Sequence, residues 1–141
     1  MLIRHLLCPL FLAMLAIGCS RSTQSRAVNI AREVGVSKLR TDLQSLAALP
    51  EGQQHNIPQS AWPESVRRFE PLAVQLHMSG VLIVSSRAGQ EQEGLLVLLD
   101  PKDDPGAGGS GPSYESLGDG LFWCVEKIRT PYIPPAQGTN R

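Results

Sequence analysis

Val36, Leu39, Leu43 and Leu46 recur at spacings of three, four and three residues. That is the period of one helix face, and it predicts an amphipathic helix over Ala27–Ala48, with Val28 and Ala31 extending the stripe. Arg32, Lys38, Arg40 and Gln44 fall on the outer side. Gly35 weakens the middle by about 1 kcal/mol relative to alanine, and Pro50 and Gly52 end the segment. Trp62, Val66 and Phe69 stand four and three apart. They predict a short helix over Ala61–Phe69, capped by Ser60, with Pro63 in its first turn and Trp62 anchoring it to the core.

After Pro71 the period changes to two. Val74, Leu76 and Met78 alternate with Gln75, His77 and Ser79, the pattern of a half-buried strand, and Ser79-Gly80 reads as a tight turn after it. Val81–Ser85 and Gly94–Leu99 are apolar at almost every position and predict central strands, separated by a polar turn around Gly89. Tyr114–Leu117 and Leu121–Lys127 flank Gly118-Asp119-Gly120, a strong hairpin signal. Residues 100–113, rich in Pro, Gly, Ser and Asp, predict an exposed flexible loop. Residues 129–141 hold three prolines and little to bury, and predict a disordered tail. The expected fold is α+β: a two-layer sandwich of one amphipathic helix and one short helix against a four- or five-stranded antiparallel meander. Residues 27–128 form that single domain.

The longest apolar run lies before the domain. Leu6–Ile17 follows Arg4 and His5 and leads into Leu15-Ala16-Ile17-Gly18-Cys19. A short basic start, an apolar stretch of ~7–15 residues and small residues at a cut site are the parts of an export signal. The five residues ending at Cys19 resemble the lipobox of bacterial lipoproteins, departing from it at Ala16, where leucine is usual. The resemblance implies that residues 1–18 are a signal peptide, cut between Gly18 and Cys19. Cys19 would then be lipidated, and residues 19–26 would be a lipidated cysteine and polar tether. Two or more acyl chains hold a protein stably on a bilayer. Ser20 follows the cysteine, which by the same resemblance points to the outer membrane, facing the periplasm. Two other readings stay open. Ala16-Ile17-Gly18 also fits ordinary signal cleavage, giving a soluble secreted protein. An uncut anchor is the other, although the run is short of the ~20 residues that span a bilayer.

Composition supports one domain and removes some functions. Of the 13 basic residues Arg4 lies in the leader, leaving them nearly matched by the 13 acidic ones. No basic run is visible, so nucleic acid is not an expected partner. Of three cysteines, Cys8 is in the leader and Cys19 is committed to lipid. Cys124 is left without an intramolecular disulfide partner, and its apolar surroundings read as a buried small hydrophobe.

The chemical motifs are weak. Gly106–Gly111 matches G-x-G-x-x-G, but Pro112 follows and no helix opens there, so no nucleotide cofactor is expected. Asp100, Asp103, Asp104 and Glu115 lack the spacing of a calcium loop. No His-x-x-His or Cys-x-x-Cys indicates zinc. His77 and Ser79 would share a strand face and could make a cryptic hydrolase site, while His77 as an exposed strand residue is the plainer reading. Arg21 and Arg26 could meet anionic head groups or simply be solvated. Residues 27–48 could also lie on a membrane as an amphipathic helix. Finally Ile57-Pro58, Trp62-Pro63, Pro71, Val74, Gly80-Val81 and Gly94-Leu95 resemble the cadence of small exported bacterial proteins of unknown function. That likeness implies no activity. The expected function is a non-enzymatic envelope lipoprotein, held by its membrane anchor, with an envelope protein as its possible partner; no catalytic residue, cofactor or metal is assigned.

Overall fold

A computed structural model describes residues 8–50, 56–77, 79–106 and 111–128, with side chains from residue 21 onward. Helix α1 spans Cys8–Val34 and α2 spans Val36–Gln44, continued by a 3-10 turn at Ser45–Ala48. A 3-10 turn at Gln59–Ala61 and the one-turn helix α3 (Glu64–Arg67) precede the strands. Strands β1 (Ala73–Leu76), β2 (Gly80–Ala88), β3 (Glu91–Leu98), β4 (Ser113–Gly118) and β5 (Leu121–Lys127) form one antiparallel sheet. The order is β1-β2-β3-β5-β4, so the meander is strict through β3, and β5 then lies between β3 and β4. The fold is the α+β two-layer arrangement expected, with helices against a five-stranded sheet.

The long helix differs from its expectation in two ways. Gly35 does not merely weaken it but divides it. Gly35 has φ 87°, a region that favours glycine. The hydrogen bonds Gly35 N–H to Ala31 (3.0 Å) and Leu39 N–H to Gly35 (2.9 Å) nevertheless carry the chain from one helix into the next. Residues 20–26, expected as a tether, continue α1. The expected short helix Ala61–Phe69 is also broken, because Trp62 precedes Pro63. A residue before proline is pushed to extended geometry, and Trp62 has ψ 125°. Trp62, Val66 and Phe69 still share the core, and the Trp62 indole donates to the Ile57 carbonyl at 2.9 Å.

The helical layer buries Ala27, Ala31, Leu39, Leu43 and Leu46 against Val74, Val81, Ile83, Leu95, Val97, Leu121 and Trp123. Leu39 and Leu43 have no exposed surface. The face reserved for a membrane in the lying-helix reading is therefore spent on the sheet, and that reading is overturned. Arg40 ties α2 to the sheet's end: its guanidinium donates to the carbonyls of Leu98 (2.8 Å) and Asp119. Lys38 sits 2.8 Å from Asp42 one turn on and holds that carboxyl below its ordinary range.

The sheet's other face is apolar as well. Ala73, Leu82, Val84, Leu96, Leu98 and Cys124 are buried there, with Tyr114 and Phe122 packed edge to face beside them (centroids 6.5 Å apart). Two contacts show how this face is closed. Gln75 is level with Leu96 across β2, and Gln92 lies four residues back along β3. In a flat sheet their Cα atoms would be about 17 Å apart, beyond the reach of two glutamines. Their side chains meet at 2.8 Å. His77 and Glu126, about 25 Å apart on the same flat grid, meet at 3.1 Å. The sheet therefore curls strongly over its second face. The register shift between Val84 and Ser86 marks a bulge where strands bend. Gly94 faces it: a Cβ there would overlap the Ile83 carbonyl and come within 2.8 Å of the Val84 Cα. Only glycine lets β2 and β3 approach this closely.

The turns follow local chemistry. Asp119 (φ 56°) and Gly120 (φ 74°) make the two-residue β4–β5 turn, both left-handed as a type I′ turn requires. Gly89-Gln90 joins β2 to β3 with positive φ at Gly89.

Leu43→Ala should lower the unfolding free energy by about 2–5 kcal/mol. Gly35→Ala should cost about 1–2 kcal/mol, because an L side chain is strained in that left-handed conformation. Urea unfolding of each variant measures both. A neutral Leu43→Ala would mean that α2 is not packed on the sheet as described.

Candidate functional site

Gly18 and Cys19 lie within α1, and the cysteine's side chain is outside the described residues. From Cys19 the helix runs without interruption to Val34, and Ala27 is the first core residue among the described side chains. Eight residues of helix cover about 12 Å. The expected seven-residue extended tether would have reached up to ~25 Å. The domain is therefore joined to Cys19 by a short stiff rod. No described helix is long and apolar enough to cross a membrane.

His77 and Ser79 were expected on one strand face. The chain instead turns between them. His77 N–H donates to the Gly80 carbonyl at 2.7 Å, which places Ser79 in the β1–β2 hairpin turn. Among the described residues no hydrogen bond joins the imidazole to the Ser79 hydroxyl. The imidazole faces Glu126, with Nε2 3.1 Å from Oε2 and the two side chains 8% and 2% exposed. The plainer reading of His77 as an exposed strand residue is therefore also corrected. One residue past β1, it keeps that strand's alternation and falls on the face that the sheet curls shut.

Around this pair is a polar network that periodicity did not reveal. The Gln92 amide donates to Glu126 Oε1 (2.9 Å) and to Gln75 Oε1 (2.8 Å). Arg87 Nε donates to Gln92 Oε1 at 3.3 Å, and the Gln75 amide reaches Asn56 Oδ1 at 3.4 Å. Gln92 is 1% exposed and Glu126 5%. Register does join part of this set, since Gln92 opposes Arg87 on one side and Glu126 on the other. Gln75 and His77 come from the far end of the sheet and enter only through the curl. Buried polar groups are tolerated when they are bonded to one another, and a network of this kind fixes one arrangement of the strands. Its chemistry is that of a clamp.

The remaining candidates are accounted for by structure. Cys124 is buried, as its surroundings predict. Asp100 Oδ1 accepts from the Lys102 N–H (2.9 Å) and Asp104 Oδ1 from the Gly106 N–H (3.0 Å), so two loop carboxylates shape their own turns. No group of three or more His, Cys, Asp or Glu fit for a metal occurs among the described residues. Gly111-Pro112 leads into strand β4, whereas a dinucleotide loop needs a helix there. Residues 107–110, His55, Met78 and the tail 129–141 lie outside the described residues. No model of a protein family, no curated protein and no solved structure matches this chain.

Removing one partner of a buried pair leaves the other uncompensated, at a cost of about 3–5 kcal/mol. Glu126→Ala should show a loss of that size in urea unfolding, and His77→Ala a similar one. A loss below about 1 kcal/mol, the range of an exposed pair, would mean that the network does not hold the curl.

Proposed function

We infer that the chain is a small non-enzymatic lipoprotein of the bacterial cell envelope. It is lipidated at Cys19 after cleavage from Gly18, and acts as a binding or structural module. The observation that carries this reading is Leu15-Ala16-Ile17-Gly18-Cys19 at the end of the apolar run Leu6–Ile17. Ser20 rather than Asp after the cysteine favours the outer membrane, on the periplasmic side. Two features of the fold support it. The described core begins at Ala27, so a cut before Cys19 takes away none of the packing described. The groups that might have done chemistry are used in holding the fold: His77 faces Glu126, and the Cys124 thiol is buried. A protein partner in the envelope fits the outer edge of β4, where Ser113, Glu115 and Ser116 are exposed beside a chain edge of the sheet.

The full chain expressed in a Gram-negative host tests this. The wild type should take up labelled fatty acid and sediment with outer membranes, and Cys19→Ser should lose both. A wild type that takes no fatty acid and fractionates like Cys19→Ser would overturn the reading in favour of ordinary signal cleavage.

A further inference from the structure

We propose that the domain is seated on an anionic bilayer surface through the end of the fold that carries Arg21, Arg26, Arg67, Arg68 and Leu72. The proposal rests on the Cys19 anchor described above and adds which face the anchor presents to the lipid.

Leu72 is the exposed large hydrophobic residue among the described residues, at 56%. Its place follows from two ion pairs. Arg68 meets Glu33 of α1 at 3.2 Å, and Glu70 meets Arg26 of α1 at 2.8 Å. Moving from residue 68 to residue 70 thus runs back along α1, from Glu33 toward Arg26 and so toward Cys19. The chain turns at Glu70 (φ 50°), and Pro71 and Leu72 lead from there into β1. The Leu72 N–H bonds the Val84 carbonyl at 2.9 Å, so its backbone is fixed to the sheet while the side chain remains exposed. Arg26 is seven residues from Cys19, about 10 Å along the helix. A lipidated Cys19 lies at the membrane surface, which brings Arg26 to a little over one Debye length (about 8 Å at physiological salt) from the head groups.

Charge there has only a small excess of the sign an anionic surface attracts: Arg21, Arg26, Arg67 and Arg68 stand against Glu33, Glu64 and Glu70. Glu70 and Glu33 are matched by Arg26 and Arg68. Arg21 and Arg67 face no carboxylate within ion-pair distance among the described residues. Arg67 donates instead to the carbonyls of Trp62 (3.0 Å) and Gln59 (3.3 Å). It also lines an open hollow of about 320 Å³ with Gln59, Trp62, Glu70 and Pro71, next to Leu72 in the chain. The two ion pairs are surface pairs, with side chains 49–75% exposed, so water and salt screen them and the arginines can turn to lipid phosphates. A guanidinium binds phosphate through paired N–H donors. An exposed apolar side chain at the same end of the fold as several arginines suits a peripheral membrane contact: the arginines meet phosphates while the leucine enters the head-group boundary. The opposite end of the domain, where Arg40 meets Asp119 and Pro101 lies against Gly120, offers no comparable patch.

The test uses the full lipidated chain in vesicles. Leu72→Cys and, as a control at the far end, Lys102→Cys are labelled with an environment-sensitive fluorophore, and a bilayer-located quencher is added. Vesicles are phosphatidylcholine alone or phosphatidylcholine with phosphatidylglycerol. The mass of the purified protein first reports lipid on Cys19. The expected result is stronger quenching at residue 72 than at residue 102, greatest with phosphatidylglycerol and reduced by Arg21→Gln with Arg67→Gln. Lipid on Cys19 with equal quenching at both positions overturns the seating and leaves the anchor standing. Absence of lipid on Cys19 overturns the anchor, and the seating with it.

Discussion

A sheet whose central strands are apolar on both faces must hide both, and a small domain has few elements with which to do it. That constraint organises this molecule. Val81–Val84 and Leu95–Leu98 present apolar side chains alternately to each side. One side is covered by α1, α2 and the segment from Ile57 to Phe69. No comparable helical layer is described over the other. It is closed by bending the sheet on itself, and the bend depends on a bulge near Ser85, on Gly94, and on a buried clamp that joins opposite ends of the sheet. At roughly 25 cal/mol per Å² of apolar surface removed from water, leaving the second face open would forfeit much of what the first face gains.

The clamp explains why the residues most suggestive of chemistry do none that the geometry supports. Glu126 is placed by β5 beside Gln92 of β3, where its carboxylate accepts an amide hydrogen and faces an imidazole. A buried carboxylate left without such partners would be strongly destabilising. The Gln92 amide donates to one oxygen of Glu126 and to Gln75, and the His77 imidazole lies 3.1 Å from the other Glu126 oxygen. The same arrangement denies His77 the open approach a general base must have. Lone catalytic side chains and structural ones cannot be told apart by residue type, and here the partners decide.

The helix that begins the domain has two duties separated by one glycine. Past Gly35, α2 lies on the sheet, fixed by Leu39 and Leu43 and by the Arg40 contacts to Leu98 and Asp119. Before it, α1 lays Ala27 and Ala31 on the core and then runs on past Arg26. Small residues allow that close approach. The continuation through Ser20–Arg26 changes the mechanical character of the link to Cys19 from a slack polar strand to a short rod, and a rod transmits orientation where a slack chain would not.

Local periodicity alone determined much of this. The stripe Leu39, Leu43, Leu46 named the core face of α2, although Val36 is only partly buried and Ala27 takes the place expected of Val28. Asp119-Gly120 named its hairpin, and the apolar runs named the central strands. Prolines and glycines set the limits of elements, but whether Gly35 weakens a helix or divides it depends on what α2 must reach. Three things were settled only in three dimensions. β3 pairs with the apolar β5 and leaves the mostly exposed β4 at the sheet's edge, an order that position in the chain does not give. The burial of His77 follows from the curl, and its partner Glu126 is 49 positions away in the chain. The helicity of residues 20–26 arises because α1 extends from a packed end, a cooperative effect that polar composition does not report. Periodicity records which side of an element seeks the core; it carries no term for how far the sheet bends or which distant polar groups meet when it does.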